Sequence, residues 1–541
     1  MNLLRKTLIL LSFAVVLAVL LGGTSAVQRR MNDIREREKL TETQPLENAP
    51  PMVAFTTVAL GAFRGLVADW LWLRLNRMQD QGNYFEMVQL ASWIVKLQPR
   101  FTGATAFLAW NMAYNISVTF SNPEDRWRWV QRGIELIRDE ALLYNPGDPE
   151  LFKELGWIYQ HKLGQDLDDA NRYYKRELAL SMMHVLGGYP PDWQALASAP
   201  DTLTELRARL GTDAELWGIL AGQGMDMAEV ETHFRAENAF PDSLVQPLRD
   251  AGVAETVEMY VRKRWLQEEY KLDAERILEL NQQYGPLDWR LPQAHAVYWA
   301  SRGLEVAEGE LSRSCDRMIF QALNQAFQSG RVVYVEEAEY IEFTPNVALV
   351  DAVNDAYLRA GEKHTEQIMK AGYENFLVDA VVLLYTFGKR STAREYMAKG
   401  KDRYGKRFAK PLDRFVLDEL AQDLEAATSA QGHAAVQGYL LQMCNSLAIG
   451  DVERASAFDD LARRIWLKYM DQIGKTTRER RGLPPYKTMK RNTVERCLQI
   501  FPPALEQNLR RQLPEDLARE LEAQAEPPGD GEPSEPAQSA P

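Results

Sequence analysis

The chain has 541 residues, of which 46% are hydrophobic and 26% are charged. That length suits roughly three or four domains, or one long repeat array. The mean hydropathy of -0.36 excludes a membrane protein with many spans. A net charge of -13, from 76 acidic and 63 basic residues, argues against a nucleic-acid-binding protein. Three cysteines are too few for a disulfide framework or a zinc knuckle.

The N-terminal segment is the clearest single feature of the sequence. No charged residue lies between Lys6 and Arg29, and an uncharged run of this length can cross a hydrocarbon core of about 30 Å. The small residues Thr24-Ser25-Ala26 also offer a cleavage site, so a cleaved signal peptide remains the alternative. We predict a retained transmembrane helix within residues 1–30.

The charges that flank this run point in two directions. Basic residues between Arg29 and Lys39 favour a cytoplasmic body. The short basic head, followed by an apolar run and a small-residue site, is instead typical of an export signal. The prediction is a single-pass membrane protein with an extracytoplasmic body, and a body on the cytoplasmic face is the alternative. A second apolar stretch, from Met52 to Phe63, has only twelve residues and predicts a buried or interface-lying helix; a re-entrant or second spanning segment is the alternative.

Helical patterns with regular breaks begin at Ala68. In the first unit Gly82 marks a turn, Tyr84 opens the following helix and Pro99 closes it. Each unit therefore predicts a helix–turn–helix pair.

A second unit begins at Pro149. Phe152, Leu155, Gly156 and Tyr159 reproduce the spacing W-x2-L-G-x2-Y, with Phe in place of Trp. In this pattern the glycine lies where two helices cross closely, and Ala170 is the expected small residue on the partner helix.

A third unit near the C-terminus carries Gly450, Ala455 and Ala462 at matching intervals. Together these copies resemble the tetratricopeptide repeat, a helix–turn–helix unit of about 34 residues. The resemblance covers about half of the chain in degenerate copies. It implies an all-α solenoid with a concave groove that binds protein or peptide partners.

The remaining segments differ in composition. The segment 195–252 is broken by proline and glycine, whereas 331–343 alternates β-branched and aromatic residues and predicts one small β-hairpin. The acidic, proline-rich end predicts disorder. The predicted organisation is a membrane segment (1–30), a linker with an apolar helix (31–67), N-terminal repeats (68–194), an irregular helical insertion (195–252), a helical region with the hairpin (253–378), C-terminal repeats with a basic segment (379–513) and the acidic tail (514–541).

No motif in the sequence predicts a catalytic residue, a metal ligand or a cofactor. Residues Gly400 to Lys406 match the spacing GxxxxGK, but Arg407 stands where a phosphate-binding loop needs Ser or Thr, and no strand precedes it. HExxH, GxSxG and CxxC are absent from the sequence. We therefore predict no cofactor.

Basic residues are concentrated in two clusters on this acidic chain. Such clusters suit docking of an acidic protein, a phospholipid surface or the acidic tail of this chain, and a solvated face that balances nearby acids is the alternative. The candidate partner-binding residues are Lys399, Lys401, Arg403, Lys406, Arg407 and Lys410 in the first cluster, and Lys475, Arg478, Arg480, Arg481, Lys487, Lys490 and Arg491 in the second.

Tryptophan is concentrated between Trp70 and Trp157. Helical spacing assigns most of these residues to the core between repeats, and some of them suit a ligand-stacking surface. The favoured function is a membrane-anchored scaffold that binds protein or peptide partners in a membrane-associated complex. The alternatives are an enzyme with its site in the irregular middle and a carbohydrate-binding envelope protein that uses the tryptophans.

Overall fold

The computed structural model describes most of the chain. The described residues are 16–17, 19–20, 22–31, 33–34, 63–98, 101–211, 215–363, 367–420, 429–472, 482–515, 517–519 and 521.

The predicted transmembrane helix is corrected by the structure. Within the described residues, no helix combines the length and the apolar character needed to cross a bilayer. The described part of the N-terminal segment includes a helical stretch at 22–31, which holds Gly22, Gly23 and the charged pair Arg29-Arg30. Residues 1–15, 18 and 21 of the predicted run lie outside the described residues. The predictions of a single-pass anchor and of a membrane localisation are therefore wrong.

The described residues fold as α-helices and one β-hairpin. Between the N-terminal segment and the hairpin lie α1 (Phe63–Asp80), α2 (Tyr84–Leu97), α3 (Thr102–Trp110), α4 (Pro123–Glu135), α5 (Pro149–Trp157), α6 (Asn171–Leu186), α7 (Trp193–Ser198), α8 (Leu203–Leu210), α9 (Glu215–Gly222), α10 (Met227–Glu237), α11 (Asp242–Asp250), α12 (Ala254–Tyr270), α13 (Ala274–Tyr284), α14 (Pro292–Val306) and α15 (Gly309–Ser329).

The second half of the fold begins with the hairpin. It contains β1 (Arg331–Val335), β2 (Tyr340–Thr344), α16 (Val350–Lys363), α17 (Gln367–Thr386), α18 (Arg390–Tyr404), α19 (Leu412–Leu420), α20 (Ser429–Ala448), α21 (Val452–Gln472), α22 (Tyr486–Ile500) and α23 (Pro503–Gln512).

Three helices of the N-terminal half continue into π-helical segments, where the backbone takes one extra residue per turn. These segments are π1 (Asn111–Ile116) after α3, π2 (Leu136–Ala141) after α4 and π3 (Ile158–Leu163) after α5. The helices that lead into π2 and π3 begin at sequence-encoded caps: Asn122 accepts from the Asp125 N–H, and Asp148 accepts from the Glu150 and Leu151 N–H groups. Each cap is followed by a proline at the first helical position.

The buried side chains form three main cores. The largest runs from Leu71 to Val416, a second runs from Val436 to Leu517, and a third lies between Leu206 and Val261 under the short helices of the middle segment. The predicted irregular insertion 195–252 is thus a set of short helices around a small core of its own.

The hairpin joins elements that are distant in sequence. Strands β1 and β2 are antiparallel, with Val333 opposite Glu342. Glu342 forms an ion pair with Arg454 of α21 at 3.2 Å, and both side chains are largely buried.

A buried ion pair lies along the outer edge of β1. Asp288 accepts the Val332 N–H at 2.8 Å, and Arg290 donates to the Val332 carbonyl oxygen at 2.8 Å. The two side chains also bond each other, and the guanidinium lies 3.8 Å from the ring centroid of Tyr189. Each polar group of the pair is therefore satisfied by a partner of fixed geometry.

Candidate functional site

A groove of about 510 Å³ opens between α3, α5 and α15. Its lining combines aromatic rings with polar and charged groups. We call it the aromatic groove; its principal lining residues are Phe107, Trp110, Glu150, Lys153, Glu154, Trp157, Gln160, Arg317, Met318 and Gln321.

The aromatic rings of the groove belong to a continuous chain of ring contacts. Successive centroids lie 4.5 to 6.3 Å apart, a spacing at which aromatic rings attract one another. Phe107 and Trp110 keep 47% and 36% of their surface exposed, so part of this chain is available to a ligand. In order, the rings are Trp72, Phe107, Trp110, Tyr114, His161 and Trp157.

Two of the π segments supply residues of the groove and of this chain of rings. Tyr114 lies in π1, and Gln160 and His161 lie in π3. The Tyr114 hydroxyl and His161 Nδ1 are 3.3 Å apart, which links the two segments behind the groove. Single-turn π segments are frequent at functional sites because the wide turn redirects side chains. Their position at this groove is therefore a second sign of function.

His161, the histidine in the chain of rings, is neutral. Burial and the neighbouring Lys162 ammonium both lower the pKa of His161 below its ordinary value. Since that ordinary value is already about 6.5, the ring is uncharged at pH 7 and stacks on Trp157 as an aromatic surface. Burial, with a contribution from Glu154, also raises the pKa of Tyr114, so its hydroxyl stays protonated.

The polar part of the lining contains two uncommitted acceptors. Gln160 is 1% exposed and donates from Nε2 to Gln321 Oε1 at 3.2 Å, while its own Oε1 has no partner among the described residues. Lys153 and Glu154 are ion-paired at 2.5 Å. Glu150 makes no ion pair with any residue that the structure describes. A buried amide oxygen without a donor is unusual and calls for an explanation.

The first basic cluster is mostly paired with acidic or aromatic neighbours. Lys399 bonds Glu395 and lies over Tyr396, Arg403 lies over Tyr373, Arg407 pairs with Glu374, and Lys410 pairs with Asp418. Lys401 and Lys406 are exposed. This pattern favours the solvated-face interpretation of the first cluster.

Most of the second basic cluster cannot be compared with the structure. Lys475, Arg478, Arg480 and Arg481 lie outside the described residues. Of the other three, Lys490 pairs with Asp459 and Arg491 with Glu495, and Lys487 has an interaction partner.

The GxxxxGK segment has a structural explanation. Gly400 is buried in α18, where a Cβ atom would lie 2.5 Å from the Phe408 ring. Gly405 ends that helix with a φ of 60°. The glycines therefore allow a tight turn to fold back on the helix, which is not the geometry of a phosphate-binding loop.

The helices that pack against Gly156 differ from the predicted one, which was the helix that carries Ala170. A Cβ atom at Gly156 would lie 2.6 Å from Met318 Sδ and 3.4 Å from the Ala300 backbone nitrogen. The close approach is therefore to α14 and α15, whereas Ala170 is buried at the start of α6. Phe152, Leu155 and Tyr159 are buried in the largest core.

The other repeat positions lie in two helix hairpins. Gly82, with a φ of 74°, turns α1 into α2, where Tyr84 begins the second helix. Gly450, with a φ of 82°, turns α20 into α21, and Ala455 and Ala462 are buried in that pair. Both glycines occupy the left-handed region that ends helices. Pro99 lies outside the described residues.

The sequence analysis did not identify the aromatic groove. Phe107, Trp110 and Tyr114 recur at intervals of three and four residues, which is a helical stripe that the sequence shows. Their exposure could not be read from it, because the same stripe is typical of a buried face.

Searches of protein-family models, of curated proteins and of solved structures found no match for this chain. The groove itself is therefore the basis on which a function is assigned.

Proposed function

We propose that this protein is a helical scaffold that binds an extended segment of a partner protein in the aromatic groove. The observation that carries the proposal is the partly exposed aromatic chain that lines the same groove as a buried amide oxygen without a partner among the described residues. The volume of about 510 Å³ lies within the usual range for binding sites.

Partly exposed aromatic rings favour a polypeptide ligand. Phe107 and Trp110 leave apolar surface in water, and covering it releases about 25 cal/mol for each Å². Tryptophan and tyrosine are also the residues that most often dominate binding energy at protein interfaces. The amide and carboxylate oxygens of the groove suit the N–H groups of a peptide.

The helical pairs support a scaffold role. Arrays of helix hairpins present elongated surfaces, and such surfaces commonly hold peptides. The resemblance to tetratricopeptide repeats is a prediction that agrees with this role. Within the described residues, no group of three or more His, Cys, Asp or Glu side chains is arranged to hold a metal ion.

Peptide selection on the folded full-length chain tests the proposal. A random dodecapeptide library would be selected on immobilised protein, and recovered peptides would be synthesised and measured by calorimetry. Trp110→Ala should weaken their binding at least about tenfold, because a central aromatic contact is lost. Trp93→Ala is the matched control, since Trp93 is 55% exposed and lies outside the groove.

Two results would overturn the proposal. One is equal binding by the wild type and Trp110→Ala at unchanged melting temperature. The other is recovery of no peptide while a glycan array gives groove-dependent binding, which would assign the tryptophans to carbohydrate recognition.

A further inference from the structure

We infer that the aromatic groove selects a lysine or arginine side chain of the bound segment. This inference rests on the proposed function and names the chemistry of the partner residue that enters the groove.

Several uncommitted groups of the groove are electron-rich. Glu150 contributes a carboxylate without an ion pair among the described residues, and Gln160 contributes an amide oxygen without a donor. The faces of Phe107, Trp110 and Trp157 carry the negative part of the aromatic quadrupole. Each of these groups favours a ligand atom that is positive and donates hydrogen bonds.

The cations of the groove are already engaged. Lys153 pairs with Glu154 at 2.5 Å, and Arg317 has an interaction partner. Within the described residues, neither cation forms an ion pair with Glu150. An incoming ammonium or guanidinium group would meet an uncompensated carboxylate beside aromatic faces.

Lysine and arginine match these requirements more fully than other side chains. Both carry only donors and no acceptor, and both are attracted to tryptophan faces. Their aliphatic stems cover apolar surface such as Met318 while the charged end reaches polar groups. The net charge of -13 also attracts basic segments over long range.

The test uses the dodecapeptides recovered on the full-length chain. We expect Lys or Arg at one fixed position of these peptides, and replacement of that residue by norleucine should weaken binding about tenfold. Glu150→Gln should reduce this lysine-to-norleucine ratio to about one to threefold, since the charge partner is removed. Glu237→Gln is the control, because Glu237 is exposed on α10 and away from the groove.

The outcomes separate the two proposals. Peptides that need Trp110 but show no basic position would overturn this inference and leave the proposed function standing. A lysine-to-norleucine ratio that is unchanged in Glu150→Gln would also overturn it. Recovery of no groove-dependent peptide would overturn both proposals. A reduced ratio in Glu150→Gln, with the wild-type ratio kept in Glu237→Gln, supports the inference.

Discussion

Gly133 lies where α4 crosses the end of α3 and the start of π1. A Cβ atom at Gly133 would lie 2.7 Å from the carbonyl oxygen of Ala109 and 3.3 Å from the Ala113 Cβ atom. Ordinary contact begins near 3.4 Å, so Gly133→Ala would require the two backbones to separate by several tenths of an ångström. The obstructing oxygen belongs to a helix backbone and has no rotamer that would move it away.

The cost of Gly133→Ala follows from two opposing terms. Overpacking in a dense core costs about 1–3 kcal/mol, and replacing glycine by alanine within a helix returns about 0.8–1 kcal/mol. We therefore expect a net loss of about 0–2 kcal/mol in the free energy of unfolding, measured by urea denaturation with helical circular dichroism.

Gly438→Ala is the control for this reasoning. Gly438 lies within α20, and nothing lies within 4 Å of an added Cβ atom. Only the helix-propensity term applies, so this variant should be more stable than the wild type by up to about 1 kcal/mol. A Gly133→Ala protein that is as stable as Gly438→Ala would refute the argument from backbone contact.

Three further predictions concern buried groups. Gly156→Ala should cost less than Gly133→Ala in the same assay, because its nearest obstacle is the movable sulfur of Met318. Arg290→Met should lower the free energy of unfolding by about 3–5 kcal/mol, since it leaves Asp288 buried without its cation. Restoration of stability by the added change Asp288→Asn would support this cause, whereas wild-type stability of the Arg290→Met protein would exclude it. Burial lowers the pKa of His295 to about 4, so the unfolded state binds more protons below about pH 6.5 and stability is lost as the pH falls towards 4. The free energy of unfolding of the wild type, relative to that of His295→Gln, should therefore decrease by about 2–3 kcal/mol between pH 7 and 4.5. A constant difference between the two proteins would contradict the assignment.

Local sequence signals predicted local structure well. The alternation in 331–343 predicted a hairpin, and the structure has one at Arg331–Val335 and Tyr340–Thr344. A turn was predicted at Gly82, and the structure has one there, where the glycine adopts the positive φ that ends a helix. Each of these features depends on interactions between residues close in sequence.

Long-range contacts were beyond the same reasoning. A close approach at Gly156 was predicted, but local spacing gave no sign that Ala300 and Met318 would meet it from far along the chain. The π segments were also missed, because periodicity arguments assume 3.6 residues per turn and a π turn is held by its tertiary surroundings. The aromatic groove depends on both kinds of feature, which is why its rings were assigned mainly to the core.

The N-terminal prediction failed for a different reason. The run after Lys6 was judged by its length and lack of charge, whereas the helical stretch that the structure describes at 22–31 contains two glycines and the charged pair Arg29-Arg30.

The ion pair beside β1 has a consequence for the self-association of this protein. An open strand edge is a template on which another strand can assemble, and it is the usual starting point of aggregation in sheets. At Val332, Asp288 stands in for the carbonyl oxygen and Arg290 for the amide of a third strand. The sheet is thereby terminated at this position by two side chains of its own molecule, and a second chain finds neither a donor nor an acceptor there to extend it.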